Sequence, residues 1–339
     1  MFVADTTATK YLPDCPAAKP PLPNDDHRRT TGRLLVWDRY DAATQSAALI
    51  VGVPNGSHQR QLTHPAPGVF DTESVRSPDG RRVIFNRESP DGTVAIGIAT
   101  VRNGAVRLVD THCVDPCVDD INPGWTPDGH HITFDRVSGP FDPVTGDAAS
   151  ALLYTEREDG SHLQRLSEPG NDGTAEDTDA RFAPDGRYLV FVRDQRINGD
   201  LHFAIFRMNP DGTHVQQLTP WDLDADRPSV SPARTGASAG WISFETHGGA
   251  TPTQGDIARL PASCKSLTAC TNAIRLVTHN TGTTNSSYAA TWSPNGDRLA
   301  FALQDNTGNV DIWTARSDGH DRSQVTHSPA PEYSPAWSQ

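Results

Sequence analysis

Apolar strands and polar turns alternate along the chain in a pattern that repeats. Four segments share a Pro-Asp-Gly or Pro-Asn-Gly turn followed at once by a short apolar strand that ends in Phe. These segments begin at Ser77, Thr126, Ala183 and Ser293. A degenerate fifth copy has Ser231 and Pro232, an enlarged turn, and then a strand that ends at Phe244. Because glycine supplies the positive φ of such turns and proline sets the bend, each copy predicts a β-hairpin.

The hairpins belong to a longer unit. Another apolar strand accompanies each hairpin, and we predict these strands at 48–53, 94–101, 151–155, 203–208, 256–260 and 310–315. An Asn-Gly or Asp-Gly turn and a short strand, most often ending in Thr after an apolar residue, then complete most units. In the fifth copy the loop from Cys264 to Cys270 replaces that turn. Four short antiparallel strands per unit are typical of a propeller blade.

The two ends of the chain supply complementary parts of one more unit. Residues 332–339 match the first strand of a unit and then stop, whereas residues 32–37 match a second strand with no first strand before it. Pairing of the two ends would hide the strand edges and close a ring. We therefore predict an all-β fold, a six-bladed β-propeller over residues 32–339 with four antiparallel strands per blade, closed by pairing of the N- and C-terminal strands. Residues 1–31 are predicted to be a Pro-rich leader or linker.

The repeat W-S-P-D-G-x-x-(L/I)-x-F, followed by D-G-x-x-x-x-L-T, resembles the WD40-like (PD40) repeat of TolB-like six-bladed β-propellers. The resemblance covers the chain after residue 31 and implies the propeller fold. It implies no single activity, because the same repeat occurs in periplasmic scaffolds, in propeller domains of serine peptidases and in some lyases. A prolyl-oligopeptidase type of enzyme needs a separate α/β-hydrolase domain that carries a G-x-S-x-G nucleophile elbow, and we expect no such sequence in this chain.

Charge and hydropathy exclude several classes of partner. The chain of 339 residues carries 42 acidic and 29 basic residues, a formal net charge of −13. This acidity, without a basic patch, argues against nucleic acid or anionic lipid as the main partner. No apolar run approaches the roughly 20 residues that a membrane span requires. We expect a monomer whose partner is a protein, a peptide or a glycan.

The spacing of the cysteines indicates the cellular compartment of the protein. Cys113 and Cys117 form one close pair and Cys264 and Cys270 another, both in loop sequence, while Cys15 is left over. The pairs predict two disulfides in an oxidising compartment, with free thiols, or a metal half-site at Cys113, as alternatives. We therefore expect an extracytoplasmic protein, secreted or in the cell envelope.

The N-terminal segment contains no targeting signal. Residues 1–31 lack the apolar stretch of a signal peptide, so any leader is expected to lie outside these 339 residues. The residues before Cys15 are bulky or charged, unlike a lipoprotein site.

Acidic residues recur at one place in the unit, about seven residues before each motif proline. They are Asp71, Asp120, Asp177, Asp226 (beside the counted position, Ala225) and, in the C-terminal strand, Glu332. The first strand of a blade lines the channel of a propeller, so these carboxylates are expected to converge near one mouth. Like charges raise one another's pKa and attract a cation. We predict a metal site at these five residues, with Ca²⁺ as the ion that suits oxygen ligands.

Other roles are open to the same acids. They could cap strand ends through backbone N–H groups or stay solvated around a wide mouth. A pair of them could serve as general acid and base. Rim histidines could join them in a site for Mn²⁺ or Zn²⁺, or could be spread around the rim because they follow outer strands. These histidines are His64, His112, His279 and His327.

A second position of the repeat carries large apolar side chains, two residues before the motif proline, and Arg76 breaks the series. A buried arginine is tolerated when it is paired, so we predict that Arg76 pairs with Glu73 or with an acid of a neighbouring blade.

Two functional hypotheses follow. The first is an extracytoplasmic, non-catalytic binding propeller that engages a protein, peptide or glycan at an acidic channel mouth. The alternative is a secreted metal-dependent hydrolase or lyase that uses the mouth carboxylates and the rim histidines. A convergent His/Asp cluster favours the second hypothesis, and a closed or solvated mouth favours the first.

Overall fold

Four-stranded antiparallel sheets make up almost all of the structure. A computed structural model describes residues 34–141, 148–168, 176–247, 255–280 and 285–337. The predicted leader, residues 1–31, lies outside the described residues. None of the helices in the described part is long and apolar enough to cross a membrane.

The strands fall into six groups of four, which we number as sheets 1 to 6 in the chain order of their first strands. The first strands are β4 (Phe70–Arg76), β8 (Cys117–Trp125), β12 (Glu176–Phe182), β16 (Ala225–Val230), β20 (Ser286–Trp292) and β24 (Glu332–Trp337). The second strands are β5 (Arg82–Glu88), β9 (His131–Ser138), β13 (Leu189–Ile197), β17 (Trp241–Thr246), β21 (Arg298–Gln304) and, in sheet 6, β1 (Leu35–Asp41).

The third and fourth strands complete each sheet. The third strands are β6 (Val94–Thr100), β10 (Ser150–Arg157), β14 (Asp200–Met208), β18 (Asp256–Pro261), β22 (Val310–Arg316) and β2 (Ser46–Gly52). The fourth strands are β7 (Val106–Leu108), β11 (Gln164–Arg165), β15 (Gln216–Gln217), β19 (Arg275–Leu276), β23 (Ser323–Gln324) and β3 (Arg60–Gln61). A parallel pair between Ala47 and Phe70 joins sheets 6 and 1 into one eight-stranded sheet.

The two ends of the described chain pair as predicted. In sheet 6, β24 lies antiparallel to β1, with Leu35 opposite Trp337 and Arg39 opposite Glu332. The first strands of neighbouring sheets contact one another in order, and β24 contacts both β20 and β4.

The repeated phenylalanine forms the core. Phe85, Phe134, Phe191, Phe244 and Phe301 are all 0 % exposed, and Trp37 takes the same place in sheet 6. Alternation along the second strand directs these rings to one face of each sheet, where they pack in clusters with neighbouring sheets. Burial of each large side chain stabilises the fold by roughly 1.5–3 kcal/mol.

The Thr that ends most units has a structural role. After the two-residue fourth strand, the Thr63 hydroxyl accepts the N–H of Leu49 at 3.0 Å, and Thr219 accepts that of Ile205 at 2.8 Å. The same bond recurs in the sheets that end in Ser167, Thr278 and Thr326. The hydroxyl therefore satisfies a buried N–H of the third strand where the ladder stops.

The glycine of the second turn allows close packing between sheets. At Gly104, with φ of 71°, an added Cβ would lie 2.2 Å from the carbonyl oxygen of Leu62 in the preceding sheet, and at Gly160 it would lie 2.3 Å from that of Asp110. No other residue fits so close to a backbone oxygen, which explains why the turn motif keeps its glycine.

Two local predictions need correction. The segment between Cys264 and Cys270, expected to be a loop, contains a short helix, α1 (Leu267–Ala273), in addition to a 3₁₀ turn elsewhere at Trp221–Leu223. The hydroxyl of Ser266 caps α1 by accepting the N–H of Ala269. Arg76, which is fully buried, donates to the carbonyl oxygens of Leu34 and Gly80 rather than to a carboxylate, so its predicted acidic partner is wrong.

Candidate functional site

A β-bulge in every first strand presents one residue at the same level of the channel. In each sheet the pairing of the first strand with the second shifts register at this point. The bulge residues all have φ between 46° and 53° and are Glu73, Asn122, Asp179, Arg227, Ala289 and Ser334. Residues other than Gly, Asn and Asp rarely adopt this backbone conformation. The surrounding sheet therefore holds the Glu, Arg, Ala and Ser bulge residues in it.

Three of the sheets bring charged residues together in what we call the channel cluster. Its members are Glu73, Asp179, Arg181, Asp226, Arg227, Glu245 and His247. Arg227 lies at its centre: its Nη1 is 2.7 Å and 2.8 Å from the two carboxylate oxygens of Glu73, and its Nε is 3.5 Å from Glu245 Oε1. His247 Nε2 lies 2.9 Å from the same Glu245 oxygen. The cluster thus has four carboxylates for two guanidinium groups.

Carboxylates on the second strands hold the bulges in place. Asp135 Oδ2 accepts the N–H of Asp179, in the next sheet, at 2.8 Å. Glu245 Oε2 accepts the N–H of Ala289, also in the next sheet, at 2.7 Å. Both acids directly follow the core phenylalanine of their strand. Each therefore links two sheets at the level of the channel cluster.

The environment of these acids favours their protonated forms. Burial, together with the charge of Glu73, raises the pKa of Asp38 to about 8. Burial and the charges of Glu245 and Asp179 raise the pKa of Asp226 to about 7, although Arg227 opposes this. Burial also raises the pKa values of Asp135 and Asp179. The hydrogen bond to Glu245 raises the pKa of His247, which favours a protonated imidazole.

Most of the acids predicted from the repeat are held in ion pairs within their own sheets. Asp71 binds Arg87 through both oxygens at 2.7 Å and 2.8 Å, and Asp120 binds Arg136 at 2.9 Å and 2.8 Å. Asp177 binds Arg193 in the same way, at 2.6 Å and 2.8 Å. In each pair the arginine is on the second strand, two residues after the core phenylalanine.

Sheet 6 has the equivalent pair, and the other two sheets have neither partner. Glu332 Oε1 accepts from Arg39 at 2.6 Å and from the indole of Trp37 at 2.9 Å. In sheets 4 and 5 the two positions carry Ala225 with Thr246, and Ser287 with Leu303. The acid and the arginine are therefore present or absent together. The arginines neutralise the mutual repulsion on which the predicted metal site depended.

The structure does not bring the predicted metal ligands to one point. Within the described ranges, the one group of three His, Cys, Asp or Glu ligand atoms close enough to share an ion is Cys113, Cys117 and Asp120. Both of its sulfurs are in a disulfide. Asp226 belongs to the channel cluster instead, where its Oδ1 accepts the N–H of Arg227 at 2.7 Å.

The rim histidines are separate from the acids. All four are exposed, and each lies close to the end of the fourth strand of its own sheet. They are His64, His112, His279 and His327. The His/acid contact in the channel cluster, between His247 and Glu245, was not predicted, although a spacing of two residues in extended chain places both side chains on the same face.

The cysteine prediction is confirmed. Cys113 is bonded to Cys117, and Cys264 is bonded to Cys270. The alternatives of free thiols or a metal half-site at Cys113 are therefore wrong. Cys15 lies outside the described residues.

One sequence motif was overlooked. Residues 236–240 read Gly-Ala-Ser-Ala-Gly, which has the spacing of the nucleophile elbow of α/β-hydrolases. They lie in the enlarged turn between β16 and β17, so no helix follows the serine and the strand–turn–helix geometry of an elbow is missing. Ser238 is buried, and its carbonyl oxygen accepts the N–H of Trp241. The motif is part of a hairpin.

The channel narrows beside the cluster. A cavity of about 60 Å³ is lined by the first strands of five sheets and includes Glu73, Asp179 and Arg227. This volume has room for about two water molecules.

Comparisons with known proteins locate the fold. No family model matches the chain, and no curated protein matches it. TolB from Acinetobacter baumannii superposes with a TM-score of 0.67 at 16 % identity, over 90 % of this chain and 66 % of that one. Kuenenia stuttgartiensis hydrazine synthase superposes with a TM-score of 0.66 at 12 % identity, over 89 % of this chain and 46 % of that one. A TolB of Agrobacterium tumefaciens gives 0.57 at 17 % identity, over 87 % and 88 %. The chain spans less than two thirds of the first two structures, and the likeness establishes a propeller fold of the TolB type.

Proposed function

We propose that this TolB-like protein is an extracytoplasmic binding propeller that holds a basic segment of a partner protein at its channel mouth. The observation that carries the proposal is the excess of carboxylates in the channel cluster, four against two guanidinium groups. Burial and the neighbouring carboxylates raise the pKa of Asp226 to about 7, so the folded protein compensates part of this excess with protons. A lysine or arginine side chain placed near Glu245 and Asp226 would take the place of such a proton in a setting with little water.

Access supports a protein or peptide over a deeply bound small molecule. The side chains of Arg227, His247 and Glu73 are 38 %, 35 % and 27 % exposed, so a partner can reach them from the mouth. The cavity beyond them, about 60 Å³, is too small for a sugar ring. A side chain from a docked peptide therefore fits this geometry better than a glycan.

The proposal includes closure into a ring of six blades. Its support is the pairing of β24 with β1 and the contacts of β24 with the first strands on both sides. A closed ring leaves the charged bulge residues facing one shared axis, and Glu73 and Arg227 meet there although two sheets lie between theirs in chain order. The two disulfides support an extracytoplasmic location.

The calcium site at Asp71, Asp120, Asp177, Asp226 and Glu332 stays a prediction. Four of these five acids are engaged by arginine, which leaves few oxygen lone pairs for a cation. The hydrolase or lyase alternative depended on rim histidines converging with these acids, and within the described residues they do not converge.

Peptide binding to the folded protein tests the proposal. We expect an acetylated, amidated peptide of alternating Lys and Gly to bind, and the matched Glu-Gly peptide not to bind, by isothermal titration calorimetry. Glu245→Gln and Asp226→Asn should each weaken binding about tenfold, a change of about 1.4 kcal/mol. Glu168→Gln, at an exposed acid of sheet 2, serves as the control and should leave affinity unchanged.

Two results would reject the proposal. One is equal binding of the basic and acidic peptides. The other is retention of full affinity in both channel variants when their melting temperatures show that they are folded.

A further inference from the structure

A second, larger cavity lies away from the channel cluster. It has a volume of about 1130 Å³ and is formed by sheets 4, 5 and 6. It opens on the face that carries the Pro-Asn-Gly turn between β20 and β21, because Pro294 and Asn295 line it. None of the channel-cluster residues lines this cavity, although Trp337 lines both this cavity and the smaller one beside the cluster.

An arginine is fixed against an indole in the wall of this cavity. The guanidinium carbon of Arg259 lies 4.3 Å from the ring centroid of Trp241. Its Nε is buried and has no hydrogen-bond partner among the described residues. Stacking on an aromatic ring fixes a guanidinium in one orientation without using its hydrogen-bond donors. Arg259 is thus preorganised and unpaired.

The other two arginines of the cavity are already engaged. Arg298 binds Asp321 at 2.6 Å, and Arg316 binds Asp318 at 3.2 Å. No ion pair of this kind links Arg259 to a carboxylate in the described part of the chain. The wall carries three arginines and three aspartates, and Arg259 is the arginine among them that has no carboxylate within salt-bridge distance in the described residues.

In sheet 3, the equivalent arginine has hydrogen-bond acceptors that Arg259 lacks. Arg207 occupies the same strand position there, stacks on Tyr188 at 5.8 Å, and donates to the Ala262 carbonyl and to Gln216 Oε1. Gln216 pairs across the strands with Arg207, and in sheet 4 the cross-strand partner of Arg259 is Arg275.

An acceptor in one sheet is therefore replaced by a like charge in the next. Like charges directly opposite one another on a sheet are destabilising. Burial lowers the pKa of Arg259 and the charge of Arg275 lowers it further, although the charge of Asp318 opposes this. An anion bound beside Arg259 would offset the repulsion between Arg259 and Arg275 and would favour the charged form of Arg259.

We infer that this cavity binds a monocarboxylate carried on an apolar body, with Arg259 as the carboxylate receptor. The planar guanidinium matches the geometry of a carboxylate. Trp241, Trp337, Pro54, Pro294 and Val53 supply apolar wall for the rest of the ligand. Aspartates at 297, 318 and 321 also line the cavity, and they repel a dianion such as phosphate more strongly than a monocarboxylate.

Two sources present this chemistry, and the probes distinguish them. A free small acid is represented by 4-phenylbutyrate. The C-terminus of a protein is represented by an acetylated tripeptide that ends in Phe with a free carboxylate. Each probe has a neutral counterpart, the corresponding amide, that keeps the apolar body and removes the charge.

Calorimetric titration of the probes into the full chain tests the inference. We expect one or both acids to bind, the matching amides to bind at least tenfold more weakly, and inorganic phosphate not to compete. Arg259→Gln should abolish acid binding, and Arg259→Lys should restore it in part, because a lysine supplies charge without the planar fork. Arg316→Gln, on the same wall but paired with Asp318, should leave acid binding intact.

Each remaining outcome counts against the inference. Equal affinity for acid and amide shows an apolar pocket without a carboxylate receptor. Binding by phosphate as tight as by the acids shows an unselective cationic surface. Loss of acid binding in Arg316→Gln as severe as in Arg259→Gln, with both variants folded by thermal melting, removes the special role of Arg259. No binding of any probe at millimolar concentration rejects the site.

Discussion

Arg227 and Glu73 form an ion pair between first strands that are separated by two intervening sheets, with both carboxylate oxygens within 2.8 Å of one guanidinium nitrogen. Each residue sits at the bulge of its strand with positive φ. The strained backbone points both side chains toward the same place, and the opposite charges then link distant parts of the chain.

Loss of this arginine should destabilise the fold. Arg227→Met leaves Glu73, Glu245 and Asp226 close together without their shared cation. Breaking a buried pair costs about 3–5 kcal/mol, and the partial exposure of Arg227 reduces the expected loss to about 1–3 kcal/mol. Urea unfolding measures the change. Arg187→Met, at an exposed arginine of sheet 3, is the control, and an equal loss in that variant would contradict the prediction.

The in-sheet ion pairs predict a cost for charge removal. Asp120→Asn and Asp177→Asn each leave a largely buried arginine with a neutral partner, and each should lower the free energy of unfolding by about 3 kcal/mol. The predicted calcium site implies the opposite result. If the carboxylates repel one another, the double variant Asp120→Asn with Asp177→Asn would be no less stable than wild type in the absence of metal.

Thermal melting with and without millimolar Ca²⁺ decides between these forecasts. A bound ion would raise the melting temperature by mass action, and a chelator would reverse the gain. With ion pairs alone, both variants melt earlier and Ca²⁺ changes nothing.

Stability should decrease as the pH rises from about 4 to about 8. The raised pKa of Asp38, about 8, means that the folded state keeps a proton that the unfolded chain has already released in this range. The slope approaches about 1.4 kcal/mol per pH unit for one such group. Glu156 and Asp226, with pKa values raised to about 7, and His247, whose pKa is also raised, contribute with the same sign.

Asp38→Asn isolates one contribution to this slope. The amide cannot ionise, so the variant should match wild type near pH 3, below the ordinary pKa of 3.8, and exceed its stability by a growing margin up to about pH 8. Guanidinium unfolding at both values measures the difference. A slope unchanged by the substitution would show that Asp38 is ionised in the folded protein.

Removal of residues 332–339 should unfold sheet 6. The deletion takes away β24, exposes an edge of β1 and removes the buried Trp337. Loss of one buried tryptophan alone costs about 3–5 kcal/mol, so the melting temperature should fall steeply. A truncated protein with the melting temperature of the full chain would remove the case for closure by the two ends.

The disulfides should contribute modestly. Each closes a very short loop, so reduction is expected to cost about 1–2 kcal/mol per bond. Thiol titration in denaturant should find at most Cys15 before reduction and five thiols after it. Four or more reactive thiols before reduction, in protein purified under oxidising conditions, would contradict both bonds.

The sequence by itself determined the strands, the turns and the pairing of the two chain ends. These depend on local physics that repeats: glycine and proline at turns, and apolar alternation that returns Phe85 and its equivalents to the core. It also located the cysteine pairs, because a loop of a few residues leaves each cysteine one near partner.

Only the tertiary structure decided which charges meet. The acids of the repeat lie at one sequence position, but their partners are arginines on the neighbouring strand, found only when the register is known. The channel cluster joins Glu73, Arg227 and Glu245, residues that no local pattern connects. Arg259 and Arg207 are equivalent in sequence position, and they differ because the cross-strand neighbour is Arg275 in one sheet and Gln216 in the other. Charge pairing acts over a few ångströms in space, and the folded path of the chain sets those distances.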